Sequence, residues 1–133
     1  MEIRAYMEYN EAEILDLYAS VGWTAYTDDP AALRSGFANS LLTLAAYEEA
    51  TLLGLIRVVG DGYTVVFVQD ILVRPQFQRR GIGSALLQAV LNQYANVRQI
   101  ELLTDDTPKT TAFYRSMGFK ELTEIGCRGF MKI

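Results

Sequence analysis

The period of the hydrophobic positions changes several times along this chain, and each change marks an element. Ile14, Leu17, Tyr18 and Val21 recur at i, i+3, i+4 and i+7, which predicts a helix over about 11–20. Asn10 with Glu13 three residues on has the form of a capping box, and Gly22 ends the helix. Asp28-Asp29-Pro30 opens a second helix, with Asp29 as cap and Pro30 in the first turn, that fades near Gly36. Three apolar runs, 41–47, 52–59 and 63–73, are separated by Glu48-Glu49 and Gly60-Asp61-Gly62 and read as an antiparallel meander. Ile82, Ala85, Leu86, Ala89 and Val90 restore a helical period over 80–94. Val97–Leu103 then reads as a buried strand, parallel to its neighbour because a helix connects them. Thr107-Pro108 starts a short helix through Ser116 that Gly118 ends, and Phe119–Glu124 and Cys127–Lys132 read as two last strands around Gly126. Glu2–Met7 alternates loosely as a first strand. The pattern is α+β: a mixed central sheet, mostly antiparallel with one parallel strand–helix–strand unit, flanked by about four helices.

Composition narrows the classes. A chain of 133 residues without repeats or linkers suits one domain. A net charge of −4 argues against general nucleic-acid binding. No apolar run approaches the ~20 residues that span a bilayer, and no basic-then-apolar start suggests a secretory signal. One cysteine permits no internal disulfide, consistent with a reducing, cytoplasmic setting. Histidine is absent, which removes His-ligated metals and His general bases; no metal is expected.

Against this acidic background Arg74, Arg79 and Arg80 fall close together without an intervening acid. They surround Gln78-Arg79-Arg80-Gly81-Ile82-Gly83, where a strand ends and a helix begins. Helix N-termini leave amides unpaired and carry partial positive charge, and glycines let an anion come close. The stretch reads as a pyrophosphate cradle. A dinucleotide fold needs a third glycine where Leu86 stands, and a P-loop needs a Gly-Lys-Ser/Thr string that is missing.

The cradle resembles the acetyl-CoA signature of the GNAT superfamily of N-acetyltransferases. Ala112-Phe113-Tyr114-Arg115-Ser116-Met117-Gly118-Phe119 resembles that family's second signature. The likeness covers about 41–133 well and 1–40 loosely, so it implies an acetyl-CoA-binding core over 41–133 and acceptor-side helices over 1–40. It implies that Gln78, Arg79, Arg80, Gly81, Ile82, Gly83 and Ser84 hold the pyrophosphate, that the backbone of Ile71, Leu72 and Val73 meets the pantetheine, and that Phe113 touches the cofactor. Tyr114 is the expected general acid: a phenol with pKa near ~10 keeps its proton at neutral pH and can protonate a departing thiolate.

The acceptor side is thinner. Trp23, Tyr26, Asp28 and Asp29 lie between the first two helices, where aromatic faces and carboxylates could hold a small cationic amine; Asp29 is equally explained as a cap. Relatives commonly place an acidic or His base on the strand before the cradle. Phe67 and Gln69 take the inward positions here, Gln69 could orient the amine or a water, and alternation sends Asp70 to the opposite face. Thr107 stands where many relatives carry Asn. Cys127 lacks an activating neighbour and reads as a small buried strand residue. The expected activity is acetyl transfer from acetyl-CoA directly to a primary amine of a small molecule. A protein N-terminal or lysine acetyltransferase, or a CoA-binding sensor without turnover, are the alternatives. No membrane or nucleic-acid partner is expected, and an exposed edge strand leaves room for a homodimer.

Overall fold

Residues 1–133 are described by a computed structural model. The chain divides into two units, Met1–Leu103 and Thr104–Ile133. The first carries the sheet. Strands β1 (Glu2–Ala5), β2 (Leu42–Glu48), β3 (Thr51–Gly60), β4 (Val65–Val73) and β5 (Gln99–Leu102) lie in sequence order. The first four pair antiparallel, and β5 joins β4 in parallel after helix α4 (Ile82–Gln93). The meander and the single parallel unit therefore stand as expected, as does the mixed α+β class.

Between β1 and β2 run α1 (Glu11–Ser20), a one-turn helix α2 (Thr24–Thr27) and α3 (Pro30–Ala38). Helix α2 fills a segment the periodicity left unassigned, because four residues are too few to show a period. Both flanking helices are capped by side chains: Asn10 Oδ1 accepts from the Glu13 amide at 3.0 Å and Asp29 Oδ1 from the Ala32 amide at 3.2 Å. The capping box is only half formed. Glu13 accepts instead from the Tyr6 hydroxyl at 3.1 Å, and that hydroxyl accepts from the Asn10 amide.

One face of the sheet packs on α1 and α3 through Ile14, Leu17, Tyr18, Leu33, Leu55 and Leu72. Ile82, Leu86, Leu87 and Val90 are the buried residues of α4, which lies against β3 and β4. No helix is long and apolar enough to cross a membrane.

The second unit holds α5 (Pro108–Ser116), capped by Thr107, and a 3-10 turn over Leu122–Ile125. The two strands expected over 119–124 and 127–132 are not formed. Glu121 and Glu124 cap the 3-10 turn reciprocally and Arg115 pairs with both, at 2.7 Å each, which curls that segment into a turn. Residues 127–133 carry no regular structure, so the strand expected over 127–132 is not formed. Cys127 is exposed, which corrects its expected burial.

Candidate functional site

Strand β4 changes its behaviour midway. Val65–Val68 pair with Gln99–Leu102, and there the pairing with β5 stops. Residues 69–73 continue along β3 alone, so their other edge has no strand partner. On the β3 side Arg57 pairs with Asp70 and Val58 with Val68, which leaves Gln69 as an extra residue, a β-bulge. Gly54 permits close approach beyond the bulge: a Cβ there would stand 2.5 Å from the Leu72 carbonyl oxygen.

The bulge overturns one expectation. Consecutive residues of β3 face opposite sides, so Val68, the partner of Val58, and Asp70, the partner of Arg57, face opposite sides despite an even spacing. Asp70 consequently shares the α1 face with Phe67, whose partner is Val59. Strict alternation had sent it away. Its carboxylate is almost sealed, with a side chain 1 % exposed. It accepts from Tyr18 Oη at 2.8 Å, from Tyr26 Oη at 2.5 Å, and from Arg57 Nε and Nη2 at 2.8 Å each. Burial lowers the pKa of Arg57, but the adjacent Asp70 carboxylate outweighs it and the net shift is upward. Burial foremost, then the neighbouring carboxylate, pushes the hydroxyls of Tyr18 and Tyr26 up. Both remain protonated donors at neutral pH.

This network brings the acceptor-side residues partly together. Exposed Gln69 donates from Nε2 to Tyr26 Oη at 3.1 Å, and the Trp23 and Tyr26 rings lie 6.2 Å apart. Tyr18 stacks edge-on against both, at 5.9 and 5.1 Å. Asp28 does not join them through its side chain; it is exposed and ends α2 with its backbone amide. Asp29 is occupied as the cap of α3.

The cradle follows β4 through a 3-10 turn over Pro75–Phe77. Arg74 is withdrawn from it, because its guanidinium donates to Asp16 Oδ2 at 2.6 Å and to the Leu52 carbonyl at 2.7 Å. Arg79 and Arg80 are exposed and make no ion pair within the chain, and Arg80 lies 5.2 Å from the Phe77 ring centroid. Gln78 turns back, donating from Nε2 to the Val73 carbonyl at 3.0 Å. That bond takes up one backbone acceptor of the segment expected to meet the pantetheine.

Gly81 caps α4 with φ 76°, and Arg79, two residues before it, has φ 66°, one of two non-glycine residues in the left-handed region. A Cβ on Gly81 would meet nothing within 4 Å, so the glycine backbone borders open space. The helices α1, α3 and α5 each receive a side-chain cap, but α4 receives none. Its first-turn amides, around Gly83 and Ser84, are free of such a partner, as an anion site requires. Ile82 and Leu72 are 3 and 4 % exposed, so their side chains belong to the core.

In the second unit Phe113 and Tyr114 are half-buried, with their rings 5.0 Å apart, and Phe119 packs 5.9 Å from Tyr114. Burial raises the Tyr114 hydroxyl above the ordinary phenol value of 10.0, and a hydrogen bond with Thr104 pulls it partly back.

An interrupted β4, a bulge, and a glycine-capped helix after a basic turn distinguish this mixed α+β fold. Residues 29–121 match the family described as acetyltransferase (GNAT) domain, and the chain belongs to that family of acyltransferases. A GNAT family acetyltransferase of Streptococcus pneumoniae TIGR4 is 39 % identical, superposes with a TM-score of 0.90, and matches over 99 % of this chain and 96 % of its own. A GNAT family acetyltransferase of Brucella melitensis, solved in complex with acetyl-CoA, is 27 % identical with a TM-score of 0.69 over 90 % of this chain and 82 % of its own. The uncharacterized N-acetyltransferase ycf52 of Gracilaria tenuistipitata var. liui is 25 % identical over 88 % of this chain and 68 % of its own length. The chain spans about half to two thirds of the length of the first curated relatives it matches.

Proposed function

We propose that this chain moves the acetyl group of acetyl-CoA directly onto a primary amine of a small molecule, without an acyl-enzyme. The observation that carries the reading is the uncapped N-terminus of α4 behind Gly81. A pyrophosphate there accepts from the amides around Gly83 and Ser84 and gains from Arg79 and Arg80. The unpaired edge of β4 at Ile71, Leu72 and Val73 supplies backbone groups for the pantetheine, and an N–H near Leu72 or Val73 stabilises the oxyanion. Acetyl-CoA supplies the activated thioester. Tyr114 donates the proton to the departing thiolate, for which a raised pKa is suited because the phenol stays protonated; the proton lost by the amine nitrogen passes to water, from which Tyr114 is reprotonated. Phe113 stands beside Tyr114 as a cofactor contact. Trp23, Tyr26 and Gln69 receive the amine, with Asp28 adding negative charge at the rim. We read the setting as cytoplasmic, since the one cysteine has no partner.

Calorimetric titration with acetyl-CoA tests the cradle. In Gly81→Val the side chain enters open space, so the fold survives at about 1–2 kcal/mol of left-handed strain. Acetyl-CoA affinity should fall about tenfold or more, equivalent to ~1.4 kcal/mol or more. Unchanged affinity in a folded variant removes the phosphate assignment. Thiol release with polyamines, arylalkylamines, aminosugars and peptides then identifies the acceptor; turnover with peptides alone replaces the small amine by a protein amine, and binding without any turnover leaves a CoA sensor.

A further inference from the structure

We propose that Tyr26 is a positioning residue for the acceptor amine. Its hydroxyl, with the proton committed to Asp70, turns the Gln69 carboxamide so that Oε1 faces outward to take an N–H of the amine. The inference rests on the acetyl-transfer reading and specifies how the attacking nitrogen is aligned.

The direction follows from the protons available. A phenol has one O–H to give and lone pairs with which to accept. Tyr26 Oη lies 2.5 Å from Asp70 Oδ1 and 3.1 Å from Gln69 Nε2. Arg57 and Tyr18 occupy the other carboxylate oxygen, Oδ2, at 2.8 Å each, which leaves Oδ1 to Tyr26. A carboxylate is a stronger acceptor than an amide oxygen, so the phenol proton goes to Asp70. Toward Gln69 the same Oη can only accept, and that requires the NH₂ end of the amide. Oε1 is thereby turned away from Tyr26, on a side chain that is exposed.

Gln69 is also the bulge residue, at the point where β5 leaves β4. It precedes the unpaired edge at Ile71 by two residues, roughly 7 Å along a strand. An amine held at Oε1 by one N–H keeps its nitrogen lone pair free for a thioester bound along that edge. The carboxylate of this network never meets the amine, because the Asp70 side chain is 1 % exposed. A neutral carbonyl oxygen orients the nitrogen without favouring its protonated, non-nucleophilic form, as a facing carboxylate would.

Two measurements test this, one of them independent of turnover. In the nitrogen–proton spectrum of the full chain, the Gln69 side-chain amide is assigned by its loss in Gln69→Leu. Tyr26→Phe should move that signal and speed its exchange with water, because the accepting oxygen is gone. Tyr18→Phe removes the other phenol on Asp70 without touching Gln69, and should leave the signal in place. With an amine identified by thiol release, Tyr26→Phe and Gln69→Leu should each lower kcat/KM for the amine about tenfold, the scale of one hydrogen bond. Acetyl-CoA affinity should not change. The double variant should fall no further than Gln69→Leu, because the Tyr26 hydroxyl acts through Gln69. An amide signal unmoved by Tyr26→Phe overturns the proposal, as do additive losses in the double variant or equal effects of Tyr18→Phe. Absence of turnover with every amine removes the acetyl-transfer reading and this proposal together; it is recognised by a Gln69 signal that still responds to Tyr26→Phe.

Discussion

Asp70→Asn removes the charge at the centre of the buried network while keeping the shape of the side chain. Four donor contacts converge on the carboxylate, from Tyr18, Tyr26 and two nitrogens of Arg57. The amide retains one acceptor oxygen and presents an N–H₂ group among donors. Arg57, with a side chain 6 % exposed, keeps a charge with no counter-ion; its other hydrogen bond is to the hydroxyl of Ser40 at 3.2 Å. Breaking a buried pair by removing one member costs about 3–5 kcal/mol. Against a typical total of about 5–15 kcal/mol the variant still folds but is visibly weaker, and its melting temperature falls by roughly 10–20 °C. Urea unfolding with linear extrapolation measures the loss. Removing both charges, as Arg57→Met with Asp70→Leu, should recover at least half of it, because no unpaired ion is left. A loss below about 1 kcal/mol for Asp70→Asn, the range of an exposed pair, would refute the reasoning.

Tyr114→Phe keeps the ring and deletes the proton, so turnover should drop by roughly 10–10⁴-fold with little change in acetyl-CoA affinity; wild-type turnover would reduce Tyr114 to packing. Trp23→Ala and Tyr26→Phe should raise the Michaelis constant for the amine and leave that for acetyl-CoA alone, and Asp28→Asn should do so more weakly because its side chain is exposed; equal effects on both substrates would remove the acceptor assignment. Stability should depend on pH on the alkaline side. Burial raises the folded-state pKa of Tyr18 and Tyr26 above 10.0. Their contribution is therefore intact below pH 10 and lost as pH rises toward the folded values, when the unfolded chain ionises more readily. A urea midpoint that stays flat above pH 10 would contradict the burial of these hydroxyls.

Local chemistry made most of the elements readable. The caps Asn10, Asp29 and Thr107 act through the residues that immediately follow them, and each was visible at its position. Gly81 was legible as the turn glycine that opens α4, and it takes the left-handed conformation there. The last two strands were misread from their pattern, because apolar alternation along the chain does not by itself supply the backbone partner that a strand needs. Arg74 counted toward the phosphate cluster until the fold brought Asp16 to it from 58 residues away.

Asp70 divides the two levels most sharply. Strand periodicity assumes that each residue advances the side chain by half a turn, and one extra residue at Gln69 reverses the phase for the rest of β4. The sequence by itself determined the period of each element, the helix ends and the glycine turn, because these depend on neighbours along the chain. Only the tertiary structure decided the bulge, where β4 leaves β5, and which face receives the Asp70 carboxylate. Those depend on how β3 and β5 pair with β4 and on Arg57, Tyr18 and Tyr26, groups that hold a charge in place from 13, 52 and 44 residues away.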